Sequence, residues 1–131
     1  MKLSQIAINA KAEESGRWMP ASGLLGVDVK VRGVNNSAAR AKRAKVAEQI
    51  GRKKLSDAEA EALHIDVIAE TILLDWRGIE NEDGTPLTCD DESKRALLGN
   101  PDMRLLREAV VMAATLVGED DLAAAEQDAK N

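Results

Sequence analysis

The densest set of groups able to do chemistry lies in "LLDWRGIENEDGTPL" (73–87), where Asp75, Glu80, Glu82, Asp83 and Asn81 gather about Gly84. Oxygen ligands around a glycine suggest a calcium loop. A loop of the EF-hand kind needs Gly at its sixth position and oxygen donors at the first, third, fifth and twelfth. With Gly84 sixth, Asn81, Asp83 and Asp90 meet three of those places, but the first is Ile79, which cannot ligate. The same residues make a better turn. Asp83-Gly84 supplies a left-handed backbone, and Pro86 prevents a helix from resuming. Gly78, Asp83, Gly84 and Pro86 are therefore expected to form a structural elbow.

Other reactive types are sparse. His64 is the sole histidine, with no cysteine beside it, whereas a zinc site wants about four N, S or O ligands. Cys89 adjoins Asp90 and Asp91, whose charges are expected to raise its pKa and suppress the thiolate. "GLLG" and "GVNN" read as turns rather than phosphate loops. No carboxylate pair stands apart from the acidic background. The expectation is a protein with no catalytic residues, no cofactor and no metal site, and not an enzyme.

The elements that position these residues should be mainly α. The 131 residues include two tryptophans and no phenylalanine or tyrosine, so aliphatic side chains must build the core. Ala-rich stretches with Glu, Lys and Arg favour helix because those side chains lose little entropy there. "LGVDVKVRG" (25–33) alternates Leu25, Val27, Val29 and Val31 with polar residues or glycine, the pattern of a half-buried strand. "RWM" (17–19) is expected to pair with it as a small N-terminal β-hairpin, with a further strand expected through Ile6 and Ile8. A helix should run from Ser37 to Lys53. "SDAE" (56–59) has the form of a capping box for a central helix reaching Trp76. "TCDD" (88–91) should cap a short helix through Leu97 and Leu98, and "NPD" (100–102) the last one. That helix contains the uncharged run "AVVMAATLV" (109–117) and should stop at Gly118 as a C′ residue. The expected fold is a compact bundle of about four to five helices with the hairpin, in one domain spanning 1–131. Residues 1–15 and 119–131 are expected to be mobile.

Charge divides the chain. Residues 1–56 carry a net +8 and residues 57–131 a net −13. Such a division can hold two halves together or present different faces to different partners. The basic segment 40–54, with seven cations, also raises a rival possibility, a small helical nucleic-acid-binding regulator. No aromatic is interleaved there for base stacking, and the acidic half offers an internal counterpart, so nucleic acid is disfavoured. The lone cysteine fits a reducing cytosol, and no segment approaches the roughly 20 apolar residues of a membrane span. The N-terminus lacks the apolar core of a signal peptide. Trp18 and Trp76 read as core anchors, although a large apolar residue at a helix end is also how an interface hot spot is built.

The stretch "AETILLDWRGIENEDGTPLTCDDESKRALLGNPDMRLLREAV" (69–110) resembles the core of the tail assembly chaperones of long-tailed phages and prophages. The resemblance rests on an aliphatic helix ending in Trp76, then Gly78, the acidic turn with Asp83, Gly84 and Pro86, and the pair Leu97 and Leu98. "GRWM…GVDVKVRGVNN" and the closing "AKN" extend it over about residues 16–131, while "LTCDD" departs from the family's aromatic-Ser start. The resemblance implies a non-enzymatic factor of the bacterial host cytoplasm that binds the long helical tape-measure protein and keeps it soluble. It would also recruit the major tail-tube protein and leave before the virion is complete. It further implies a possible longer frameshifted form of the same protein and self-association. On this view Leu73, Trp76, Val110, Met112 and Leu116 form the partner-binding edge.

Overall fold

Alternating valines build a strand over part of their length only. In the computed structural model, which describes residues 1–119, β1 (Arg17–Pro20) pairs antiparallel with β2 (Asp28–Val31). Val29 and Val31 are buried, whereas Leu25 lies fully exposed in the connecting loop. The hairpin is thus present but shorter than the alternation suggests. A third strand, β3 (Leu73–Arg77), pairs antiparallel with the other side of β2, giving the order β1-β2-β3.

This third strand is the main departure from the sequence reading. The central helix was expected to reach Trp76. Instead α4 (Asp57–Val67) passes into one π-helical turn (Ile68–Ile72) and then into β3, so Trp76 stands on a strand. Lys30 faces Asp75 while Val31 faces Leu73, which leaves Leu74 as the extra residue of a bulge. The bulge puts the buried pair Leu73 and Trp76 three residues apart, a spacing that mimics a helix.

Unwinding a helix in the interior frees carbonyls that must find donors, because an unpaired buried polar group is costly. Four of them find one. Lys94 Nζ donates to the carbonyls of Leu73 (2.7 Å) and Ala69 (3.3 Å), and Asn36 Nδ2 donates to that of Thr71 (2.8 Å). The backbone N–H of Arg32 donates to the carbonyl of Ile72 (2.9 Å).

The remaining helices begin where their capping residues dictate. α3 (Ser37–Ile50) starts at Asn36, whose Oδ1 accepts from the Ala39 N–H at 2.9 Å. It stops at Gly51, short of the expected Lys53. Before α4, Ser56 Oγ accepts from the Glu59 N–H (3.1 Å) and Glu59 Oε1 from the Ser56 N–H (3.2 Å), the reciprocal box. Asp90 Oδ1 caps α5 (Asp91–Leu98) by accepting from the Ser93 N–H. Asn100 and Pro101 open a 3₁₀ turn (Pro101–Met103) that leads into α6 (Arg104–Leu116).

Gly118 lacks the left-handed backbone expected of a C′ glycine. Closeness explains it better: a Cβ there would lie 2.9 Å from Glu13 Cγ, and its carbonyl accepts from the Asn9 N–H at 2.6 Å. Residues before the sheet form two short helices, α1 (Leu3–Ile6) and α2 (Ala10–Ser15), in place of a strand through Ile6 and Ile8. Of the tail expected to be mobile, residues 120–131 lie outside those described.

The architecture is mainly α with a small antiparallel sheet. One sheet face carries Met19, Val29, Val31, Leu73 and Trp76 into a core completed by Ile68, Leu98, Leu106, Val110 and Val117. Trp18 is not in that core. It lies half-buried on the opposite face, with the Arg77 guanidinium 4.3 Å from its ring centroid.

Asn36 joins the start of α3 to the end of the π turn. Asn36→Ala removes a helix cap and leaves the buried Thr71 carbonyl without its side-chain donor. It should destabilise the fold by about 2 to 4 kcal/mol, measured by urea denaturation.

Candidate functional site

The elbow after β3 is a closed structural turn. Leu87 N–H donates to the Ile79 carbonyl (2.9 Å) and Asn81 N–H to that of Thr85 (2.8 Å). Asp83 Oδ1 accepts from both the backbone N–H and the hydroxyl of Thr85, which holds its carboxyl below the ordinary range. Gly84 takes φ 88° with open space around it. Gly78 also has φ 88°, but a Cβ there would overlap the Gly26 carbonyl oxygen at 2.0 Å. Trp76 Nε1 donates to the Leu87 carbonyl (2.8 Å), tying the far end of the elbow back to the strand. Asp83 therefore spends its carboxylate on the turn itself, and Pro86 pairs with Glu80 in an isolated bridge.

The five residues of the expected partner edge are separated by the fold. Leu73, Trp76 and Val110 are core residues, because β3 and one side of α6 face inward. They are withdrawn from any surface. Met112, 52% exposed, and half-buried Leu116 remain accessible. Around Met112 lies an open groove of about 570 Å³ formed by His64 of α4 and by Arg107, Glu108, Val111 and Thr115 of α6. His64 also borders a second hollow of about 250 Å³ between α3 and α4, lined by Arg43, Val46, Ile50, Leu63 and Val67. The two make one surface: aliphatic side chains from three helices, bordered by Arg43 and Arg107. Burial and these two guanidiniums hold the His64 imidazole below its ordinary pKa.

Sequence periodicity found the α6 part of this groove and missed Leu63 and Val46. Both follow from the helix pattern of 46–67 once α3 and α4 are known to pack side by side, which the sequence does not state.

The opposite charges of the two halves meet between α3 and α4. Lys42 Nζ pairs with Asp66 (2.9 Å) and with Glu70, and Arg95 Nη1 of α5 reaches the same Asp66 at 2.6 Å. Lys53 pairs with Glu59. Part of the basic segment is therefore matched internally. Arg40, Lys45, Arg52 and Lys54 have no ion-pair partner among the described residues. Hydrogen bonds from Lys42 and Arg95 lower the pKa of Asp66, and those to Glu70 and Asp66 raise that of Lys42.

Cys89 is a half-buried free thiol. Burial pushes its thiol up to about 11; Lys94 opposes the rise, and the charges of Asp75 and Asp90 add less to it. The expected direction holds with a different leading cause. Among the described residues no three His, Cys, Asp or Glu side chains converge in a metal-binding arrangement.

A family model described as YdaY prophage protein matches residues 34–131. The chain belongs to that family. Membership makes it a phage or prophage protein, and the matched region takes in α3, α4, β3, the elbow, α5 and α6. The family's span therefore contains the whole groove and the charged triad, while α1, α2 and the β1–β2 hairpin precede it. No curated protein and no solved structure matches the chain.

Two outcomes follow for this region. Gly78→Ala should cost clearly more stability than Gly84→Ala, for which a left-handed alanine alone costs about 1 to 2 kcal/mol; paired denaturant titrations measure the difference. The Asp66 pairs give a defined pH window. A carboxylate with a lowered folded pKa contributes stability above its unfolded value of 3.8, lost as pH falls through the folded value. Lys42, with its pKa raised from 10.5, contributes below 10.5 and loses that contribution as pH rises further. Asp66→Asn should therefore flatten the acid limb of the stability curve. It should cost about 1 kcal/mol at neutral pH and less in high salt, read from urea midpoints across pH.

Proposed function

We propose that the chain is a phage tail assembly chaperone that holds the tape-measure protein soluble in the host cytoplasm. It would recruit major tail-tube subunits and be absent from the mature virion. The observation that carries this reading is the groove around Met112, Val111, Leu63 and His64 in a prophage-family protein. A holdase for a long amphipathic client needs apolar surface to lend and enough charge to remain soluble. An open aliphatic trough between helices suits a client helix laid along it, with anchors at helical spacing.

In this role the protein works by binding alone, with no bond made or broken and no cofactor. Rim charges, including Glu108, Arg107 and the unmatched cations of α3, select the partner more than they hold it. A longer frameshifted form would carry the same groove, because α6 ends before the tail of the chain.

The decisive experiment is co-expression with the tape-measure protein of the same prophage. Met112→Asp and Leu63→Asp should fold as the parent does, by circular dichroism, yet lower client affinity about tenfold or more and leave it insoluble. Wild-type recovery of soluble client with both variants sinks the assignment. Filter binding to duplex DNA and RNA across salt should show no binding. A steep salt-dependent isotherm that weakens on Arg40→Ala and Lys45→Ala would instead favour a nucleic-acid-binding regulator.

A further inference from the structure

The first eight residues carry four aliphatic side chains left exposed among the described residues: Met1, Leu3, Ile6 and Ile8 are 60–98% exposed. Leu3 and Ile6 stand three apart on the single turn of α1, so they share a side. Residues 1–12 contain Lys2 and Lys11 and no acidic residue. The segment is thus a greasy, positively charged arm. It joins the body at Asn9, whose N–H donates to the Gly118 carbonyl just beyond the C-terminal end of α6.

A matching hollow lies at the other end of α6. It has a volume of about 280 Å³ and grades from buried Leu106 through half-buried Leu24, Ile79 and Leu97 to Leu105, 57% exposed. Its only charged lining residues are Glu80 and Asp102, both acidic. The groove around His64 is the poorer seat for this arm, because its lining sets Arg43 and Arg107 beside Glu108, whereas the hollow offers lysine acidic groups alone.

We propose that residues 1–8 of one copy dock in the Leu24–Ile79–Leu105 hollow of a second copy, joining copies head to tail. The arm's point of attachment and the hollow lie roughly 20 Å apart along α6, at 1.5 Å per residue. Two different surfaces at opposite ends make a heterologous contact, which propagates into rings or open chains rather than stopping at a symmetric pair. Apolar side chains supply the contact, and Lys2 against Glu80 and Asp102 sets its direction. The inference concerns the chain alone and stands whether or not the tape-measure protein is its client.

Sedimentation velocity of the full chain over a wide concentration range tests it. Wild-type mass should rise above 14.1 kDa with concentration. The arm variant Leu3→Asp/Ile6→Asp and the hollow variant Leu105→Asp should each remain at 14.1 kDa with unchanged circular dichroism. If Leu105→Asp does not fold, Asp102→Lys serves in its place. An equimolar mixture of the two variants should give a species of two chains and nothing larger, since only one intact contact can form between them. A wild type that stays monomeric, an arm variant that associates like the parent, or a mixture that stays at single-chain mass each overturns the proposal. So does association abolished by Met112→Asp and untouched by the arm variant.

Discussion

Everything in this fold depends on how six residues, Ile68–Leu73, turn a helix into a strand inside the core. The conversion places Leu73 and Trp76 against β2 and frees a row of carbonyls where water cannot serve them. Three donors from three separate elements answer: the Asn36 side chain before α3, the Arg32 backbone after β2 and the Lys94 ammonium on α5. Sheet and helices are thereby locked to one another through hydrogen bonds as well as through packing. A chain this poor in aromatic residues has few large side chains with which to specify a unique arrangement. Directional bonds at a single junction supply that specificity instead.

The charge division of the sequence has a concrete structural meaning at Asp66. Lys42 from the basic half and Arg95 from the acidic half converge on one carboxylate, so α3, α4 and α5 meet around it. Pairs this exposed are individually weak, but they set how α3 lies on α4, and that packing opens the trough in which Leu63 and Val46 remain partly uncovered. The apolar surface is left over where helices diverge; it is not a stripe on a single helix.

Much of the local structure was legible. Caps at Ser56, Asp90 and Asn100 and the Asp83-Gly84 turn follow from side chains bonding to neighbouring backbone, which is information held within four residues, and the hairpin from the alternation of its valines. The strand Leu73–Arg77 was not legible. Its bulge at Leu74 gives a buried spacing of three, and the preceding residues are helical, so periodicity extends the helix past its true end. The same error moved Leu73 and Trp76 onto an imagined helix edge and made them partner contacts. Val110 was misassigned for another reason: an uncharged run does not reveal which of its sides faces the sheet. The role of Lys94 was not legible either, since nothing nearby in sequence announces the carbonyls to which it donates.

The order of the strands also bears on synthesis. β2 needs β3 as its second neighbour, yet more than forty residues separate Val31 from Leu73. A nascent chain that has exposed only its first half holds an isolated hairpin, marginal in water, and a cationic helix whose counter-ions are still in the exit tunnel. The amino-terminal half thus has to wait for Leu73–Arg77 and then for α6, whose Val110 and Val117 close the same core, and folding of this protein is gated by the emergence of its second half.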